Sequence, residues 1–171
     1  MKSFLDDGSE DGGEDGGDDG ADNWTKVTKD VKIAADLQEN QLLIKTGAEA
    51  TVGSGKQLYL YFYRGEYGLS GGLILWFWNP IKYWIPFCKS EYNPLPVTPP
   101  SDEEKVWSIA KVGTILQVEC NGVMVLEYDT SVCKNYYGEH WESEIKTVEF
   151  DYSDNLSEYY QIIPQGKEMM S

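Results

Sequence analysis

Three features of this sequence predict an all-β chain folded as a two-sheet antiparallel sandwich. Short segments alternate apolar and polar residues at a period of two, Gly, Pro and Asn punctuate them, and helix signals are few. About ten strands follow from that pattern, and a closed barrel is the alternative to the sandwich. A chain of 171 residues with 41% hydrophobic content has room for one domain and a tail.

The tail comes first. Residues 1–23 are acidic and glycine-rich, and Asp6 to Asp22 reads DDGSEDGGEDGGDDGAD. Such a stretch cannot bury enough apolar surface to offset its ordering entropy, so it is predicted to be disordered. Carboxylate oxygens suit Ca2+, which sets a weak calcium- or mineral-binding role beside that of a merely solvated tail. An EF-hand is ruled out, because its fixed ligand order and flanking helices are missing. Much of the formal charge of -15 sits in this stretch, and an acidic balance argues against a nucleic-acid backbone as partner. The longest apolar run, near Leu73 to Trp78, is far shorter than the roughly 20 residues of a membrane-spanning helix. Asp6 and Asp7 interrupt the apolar stretch that a secretory leader needs, so no leader is readable.

The domain is assigned to residues 24–171. Val31, Ile33 and Ala35 alternate as a strand does, and Leu42 and Ile44 follow a Gln-Glu-Asn turn. Asp36 to Lys45 contains good helix formers, so a helical turn or two competes with a strand there. Gly53-Ser54-Gly55-Lys56 is not a phosphate loop: Ala50 stands where the first glycine belongs, and Gln57 where Ser or Thr should follow the lysine.

Lys56 to Lys89 is the most aromatic stretch. On an extended strand, Leu58, Leu60 and Phe62 share one face and Tyr59, Tyr61 and Tyr63 the other. Leu73, Leu75 and Phe77 repeat the aliphatic face, Ile74, Trp76 and Trp78 the aromatic one, and Tyr83 to Phe87 is a third, shorter run. The aliphatic side is core. The rings either fill a second buried interface, between the sheets, or form a ligand platform.

Arg64 to Gly72 is a glycine-marked loop, and the proline-rich Glu91 to Glu104 is a surface excursion that carries the chain to another sheet. Asn121-Gly122 is the preferred type I′ turn, and it predicts a hairpin within Trp107 to Asp129. That turn sets Cys120 opposite Val123, Val118 opposite Val125 and Leu116 opposite Glu127, with one buried face and one mostly wet. Val148, Phe150 and Tyr152 alternate as a later strand, and Tyr159 to Ile163 closes the sheet before Pro164.

Of the three cysteines, Cys120 and Cys133 are near enough in sequence to bridge a loop, a constraint worth about 3 kcal/mol. Three reduced, buried thiols are the other possibility. Zinc is disfavoured, because there is no Cys-x-x-Cys pair and His140 is the only histidine.

Catalysis finds little support. His140, with Glu139 and Glu142 nearby, is the one candidate for a triad, and no serine sits in a Gly-x-Ser-x-Gly turn. No pair of carboxylates stands out for glycoside hydrolysis. Asp151, Asp154 and Asn155 suit either a calcium site at a sheet edge or plain Asx-turn capping. Binding has the better case. Trp76, Trp78, Trp84, Tyr59, Tyr61 and Tyr63 offer faces for a sugar ring, with Asn79 as a polar partner. The sequons Asn23-Trp24-Thr25 and Asn155-Leu156-Ser157 are compatible with a secreted protein.

The run Trp107-Ser108-Ile109, then Cys120-Asn121-Gly122-Val123, Tyr128, Cys133, Trp141, Phe150 and Asp154 resembles an uncharacterised module of secreted marine-invertebrate proteins, over roughly Leu58 to Tyr160. The W-x-I and CNGV hairpin is also similar to laminin-G and concanavalin-like lectin sandwiches, which implies a lectin-like jelly roll. His140-Trp141-Glu142-Ser143-Glu144-Ile145-Lys146 resembles the galectin sugar motif W-G-x-E-x-R, and Asn79-Pro80 resembles its upstream N-P-R segment. Glu142 replaces the motif's glycine, Lys146 its arginine, and Ile81 stands where arginine should follow proline. A galectin-like site would therefore consist of Trp141, Glu144 and Lys146.

These readings point to a non-enzymatic extracellular module that binds carbohydrate or a matrix partner through aromatic side chains, with Ca2+ the one cofactor considered. The alternative is a structural, calcium- or mineral-associated matrix protein acting through the acidic tail. An enzyme is a distant third, since it needs a cleft in which acids converge.

Overall fold

The computed structural model describes residues 23–64, 69–88, 91–100, 103–133, 144–151, 156 and 158–166. The expectation for the acidic segment Asp6 to Asp22 lies outside the described residues. Among the described residues the strands form two antiparallel six-stranded sheets, a sandwich and not a barrel. The first sheet runs in the order β1 (Thr25–Lys26), β12 (Tyr159–Pro164), β3 (Asn40–Thr46), β8 (Lys105–Val112), β9 (Ile115–Cys120) and β10 (Val123–Asp129). The second runs β2 (Lys32–Ala34), β11 (Thr147–Phe150), β4 (Gln57–Tyr63), β5 (Leu69–Trp76), β6 (Lys82–Trp84) and β7 (Asn93–Pro94).

Side-chain parity builds the core. Leu58, Leu60 and Phe62 of β4 and Leu73 and Leu75 of β5, with Phe77 just beyond it, are buried between the sheets. Leu42 and Ile44 of β3, Trp107 and Ile109 of β8, and Leu116 and Val118 of β9 meet them from the other side. The helix formers of Asp36 to Lys45 are overruled by this burial: a short turn, closed by Asn40 N donating to Asp36 O at 2.8 Å, leads straight into β3. Inside the core, Trp107 Nε1 donates to Thr46 Oγ1 at 3.0 Å, so its one polar atom is satisfied. The proline-rich excursion carries the chain from β7 in the second sheet to β8 in the first, and Pro94 sits on an edge strand, where its missing N–H costs least.

The β9–β10 hairpin keeps its predicted turn but not its predicted register. Asn121 and Gly122 have φ of 50° and 83°, as a type I′ turn requires, and Cys120 faces Val123. A bulge between Met124 and Leu126 then shifts the pairing, so Val118 faces Leu126 and Leu116 faces Tyr128. The reason is charge. An unbroken ladder would have aimed Glu127 at the core, where a carboxylate loses its hydration. With the bulge, Val125 and Leu126 are both buried, and Glu127 turns outward to accept from Gln117 Nε2 at 3.2 Å. Tyr128 turns inward and stacks on Phe87 at 6.3 Å.

The expected Cys120–Cys133 bridge does not form. Cys133 pairs with Cys88, their Cα atoms 5.2 Å apart, and Cys120 is a free, buried thiol. Parity again decides: Cys120 ends β9 on its inward side, while Cys133 closes the 3-10 turn Thr130–Cys133 beyond β10. The bridge spans 45 residues, a constraint on the unfolded chain worth about 4 kcal/mol, and it ties the second sheet to the edge of the first. Burial pushes the Cys120 thiol up to about 12, which leaves it protonated and unreactive near neutral pH.

Candidate functional site

The outer face of the second sheet gathers the rings. Tyr59, Ile74 and Trp84 form one row across β4, β5 and β6, and Gln57, Trp76 and Lys82 form the next. Ile74 is buried among them, whereas Tyr59, Tyr61, Tyr63, Trp76, Trp78 and Trp84 are each half-buried. Among the described residues, the space between the sheets is filled mainly by aliphatic side chains and phenylalanines, with one buried indole, that of Trp107.

Tyr92 holds the indoles together. Its ring lies 5.3 Å from Trp76, 5.8 Å from Trp78 and 5.6 Å from Trp84. Trp76 and Trp78 pack at 3.9 Å between centroids, and the Lys82 ammonium sits 5.4 Å over Trp78. From this cluster a row of phenols runs along β4. Tyr59 meets Tyr61 edge-on at 5.0 Å, and Tyr61 meets Tyr63 at 6.4 Å. The row ends where Lys32 Nζ lies 4.0 Å over Tyr63 and the Tyr63 hydroxyl donates to Glu149 Oε1 at 2.6 Å. Burial, then the Glu149 carboxylate, raises the Tyr63 hydroxyl to about 12. Burial and the neighbouring Tyr59 raise that of Tyr92 as well. Sequence reasoning missed Tyr92 because it stands in the proline-rich excursion, outside any alternating run. The signal available was its place just before Asn93-Pro94, where a short edge strand can form.

Asn79 is exposed in the turn between β5 and β6, at the margin of the ring cluster. Glu144 and Lys146 lie elsewhere. Lys146 N donates to Tyr63 O at 2.7 Å, whereas Trp76 faces Gln57 at the opposite end of β4, roughly 20 Å away along the strand. Lys146 Nζ pairs with Asp36 Oδ2 and Glu144 Oε1, each at 2.9 Å. The hydrogen bond from Lys146 holds the Asp36 carboxyl below its usual range, and Asp36 and then Glu144 hold the Lys146 ammonium above its own. These two motif positions form an ion-pair cluster at the rim, and the structure does not bring them to the indoles. Trp141 and His140 lie outside the described residues, as do Asp154 and Asn155. Among the described residues no three His, Cys, Asp or Glu side chains converge as a metal site, and no helix is long and apolar enough to cross a membrane.

No protein-family model and no curated protein sequence matches the chain, and the resemblance to a marine-invertebrate module finds no support. Solved structures do match. Caenorhabditis elegans galectin LEC-6 is 8% identical, with a TM-score of 0.48 over 83% of this chain and 94% of its own. The likeness is to galectins. Sheep galectin-11 in complex with glycerol is 8% identical, with a TM-score of 0.44 over 82% of this chain and 96% of its own. A double variant of human galectin-16 is 12% identical, with a TM-score of 0.48 over 82% and 99%.

Proposed function

We propose that this chain is a non-enzymatic extracellular module that binds carbohydrate on the outer face of its second sheet. The observation that carries the reading is the cluster of Trp76, Trp78, Trp84 and Tyr92, continued by Tyr59 and Tyr61 and left half in water. A sandwich does not need large rings on its outward side, where polar residues suffice. Such rings stack on the C–H face of a sugar, and phenol hydroxyls at their margin supply hydrogen bonds. Lys82 and Asn79, beside the indoles, are the polar groups placed to fix a sugar's orientation. Extracellular residence is supported by the Cys88–Cys133 bridge, since such bridges persist in oxidising compartments. The surplus of carboxylates favours a neutral or partly polar ligand over a nucleic-acid backbone.

Glycan-array screening followed by calorimetry tests the proposal. Trp76→Ala and Trp84→Ala should each weaken binding of the best glycan by at least about tenfold, the loss expected when a stacked ring is removed from a binding centre, with the fold retained by circular dichroism. Absence of binding to any glycan, or equal binding by both folded variants, overturns it.

A further inference from the structure

A second ring-and-cation cluster lies on the opposite side of the molecule. Lys26 of β1, Tyr159 of β12 and Lys45 of β3 stand side by side in one row of the first sheet. Their neighbours Tyr160 and Ile44 pack toward the core, so this row faces outward. Lys26 Nζ and Lys45 Nζ lie over the same Tyr159 ring, at 5.2 and 5.6 Å, and Lys45 Nζ is also 4.7 Å from the Trp24 ring. Two ammonium groups that share one ring repel each other. Among the described residues neither forms an ion pair. The acid that feels Lys26 and Lys29 is Glu158, which is buried and whose carboxyl is raised by that burial in spite of both lysines. Carboxylates collect at the far end of the same face, with Glu119 on β9 and Glu127 and Asp129 on β10. The charge on this face is therefore segregated, positive at β1–β3 and negative at β9–β10.

The chain itself supplies a complementary partner. Asp6 to Asp22 carries nine carboxylates and no lysine or arginine, and Asp22 is two residues from Trp24. A segment tethered this close acts at an effective concentration on the order of millimolar. We propose that Trp24, Lys26, Lys45 and Tyr159 form an anion-binding surface whose occupant is the chain's own acidic segment, Asp6 to Asp22. The segment neutralises the two lysines and keeps polyanions outside the molecule from reaching them. Because the contact is made at an exposed surface, it weakens as salt shortens the Debye length from about 30 Å at 0.01 M to about 8 Å at 0.15 M.

Full-length protein with 13C-dimethylated lysines tests this by NMR, beside a variant in which all nine acids of the segment become Asn or Gln. Lys26→Arg and Lys45→Arg assign the two resonances, and circular dichroism confirms that each chain is folded. At low salt the Lys26 and Lys45 signals should differ between the two chains while those of Lys82 and Lys146 coincide, and added salt should erase the difference. Heparin, used as the polyanion probe, should bind the neutralised chain at least tenfold more tightly than the natural one, and Lys26→Gln with Lys45→Gln should remove that gain. Coincident Lys26 and Lys45 signals in both chains at low salt overturn the proposal. Equal heparin affinity of the two chains also overturns it, and tight equal binding would mark an outside polyanion as the occupant.

Discussion

The two outward faces of this sandwich both back onto buried inward rows, yet they are furnished differently. Across β3, β8, β9 and β10 of the first sheet, away from the Tyr159 row, Ser108 Oγ donates to Gln41 Oε1 at 2.7 Å and Gln117 reaches Glu127, small polar contacts that water can replace. On the second, indoles and phenols pack against one another and stay half in water, with no layer above them among the described residues. Burying a large ring is strongly favourable, so rings left half in water contribute less to folding than the same rings would inside. The contrast teaches that the second sheet's outward face can be altered with little loss of the fold, while its inward face cannot.

Removing one indole from the core and one from the second sheet's outward face tests that contrast most sharply. Trp107→Ala should cost about 3–5 kcal/mol in urea unfolding, and Trp76→Ala about 1 kcal/mol or less. Equal losses would erase the distinction between inward and outward rings. The bridge that joins the two sheets comes next. Replacing Cys88 and Cys133 together by Ser should lower stability by about 4 kcal/mol, and alkylation of the unfolded, unreduced protein should label Cys120 alone.

Smaller effects separate groups within each face. Tyr63→Phe loses the hydrogen bond to Glu149, about 1 kcal/mol at neutral pH. Because the folded Tyr63 hydroxyl is raised from 10.0 to about 12, its contribution is complete below pH 10 and lost as pH rises toward 12. Thermal melts across that window should fall for the natural chain and stay flatter for Tyr63→Phe. Glu158 works in the acid range. Its carboxyl is raised above 4.5 by burial, and its Oε2 has no hydrogen-bond partner among the described residues, so the fold holds more protons than the unfolded chain and loses stability as pH rises from there. Glu158→Gln should raise the melting temperature at pH 7 by roughly 2 °C, with the gain vanishing at pH 3. A gain that persists at pH 3 would assign the effect to packing.

Parity along β4 and β5 was legible because a period of two needs only neighbouring residues, and it separated Leu58 from Tyr59 and Leu75 from Trp76 correctly. The Asn121-Gly122 turn was legible for the same reason. What required three dimensions was not. The bulge after Met124 keeps Glu127 from being buried against a second sheet that local pattern does not contain. Cys88 meets Cys133 because the chain following β6 runs beside the turn following β10, a proximity unrelated to spacing in sequence. Tyr92 joined the ring cluster by the same route, through a short edge strand inside a proline-rich segment.

That bulge has a further consequence. Among the described residues β10 is the outermost strand of its sheet, with one row of amides and carbonyls on the side away from β9. An unbroken edge invites a second copy to add its own strand and begin a fibril. The extra residue at Val125 interrupts the ladder and twists the strand, which makes this border of the sheet a poor template for a second copy's strand.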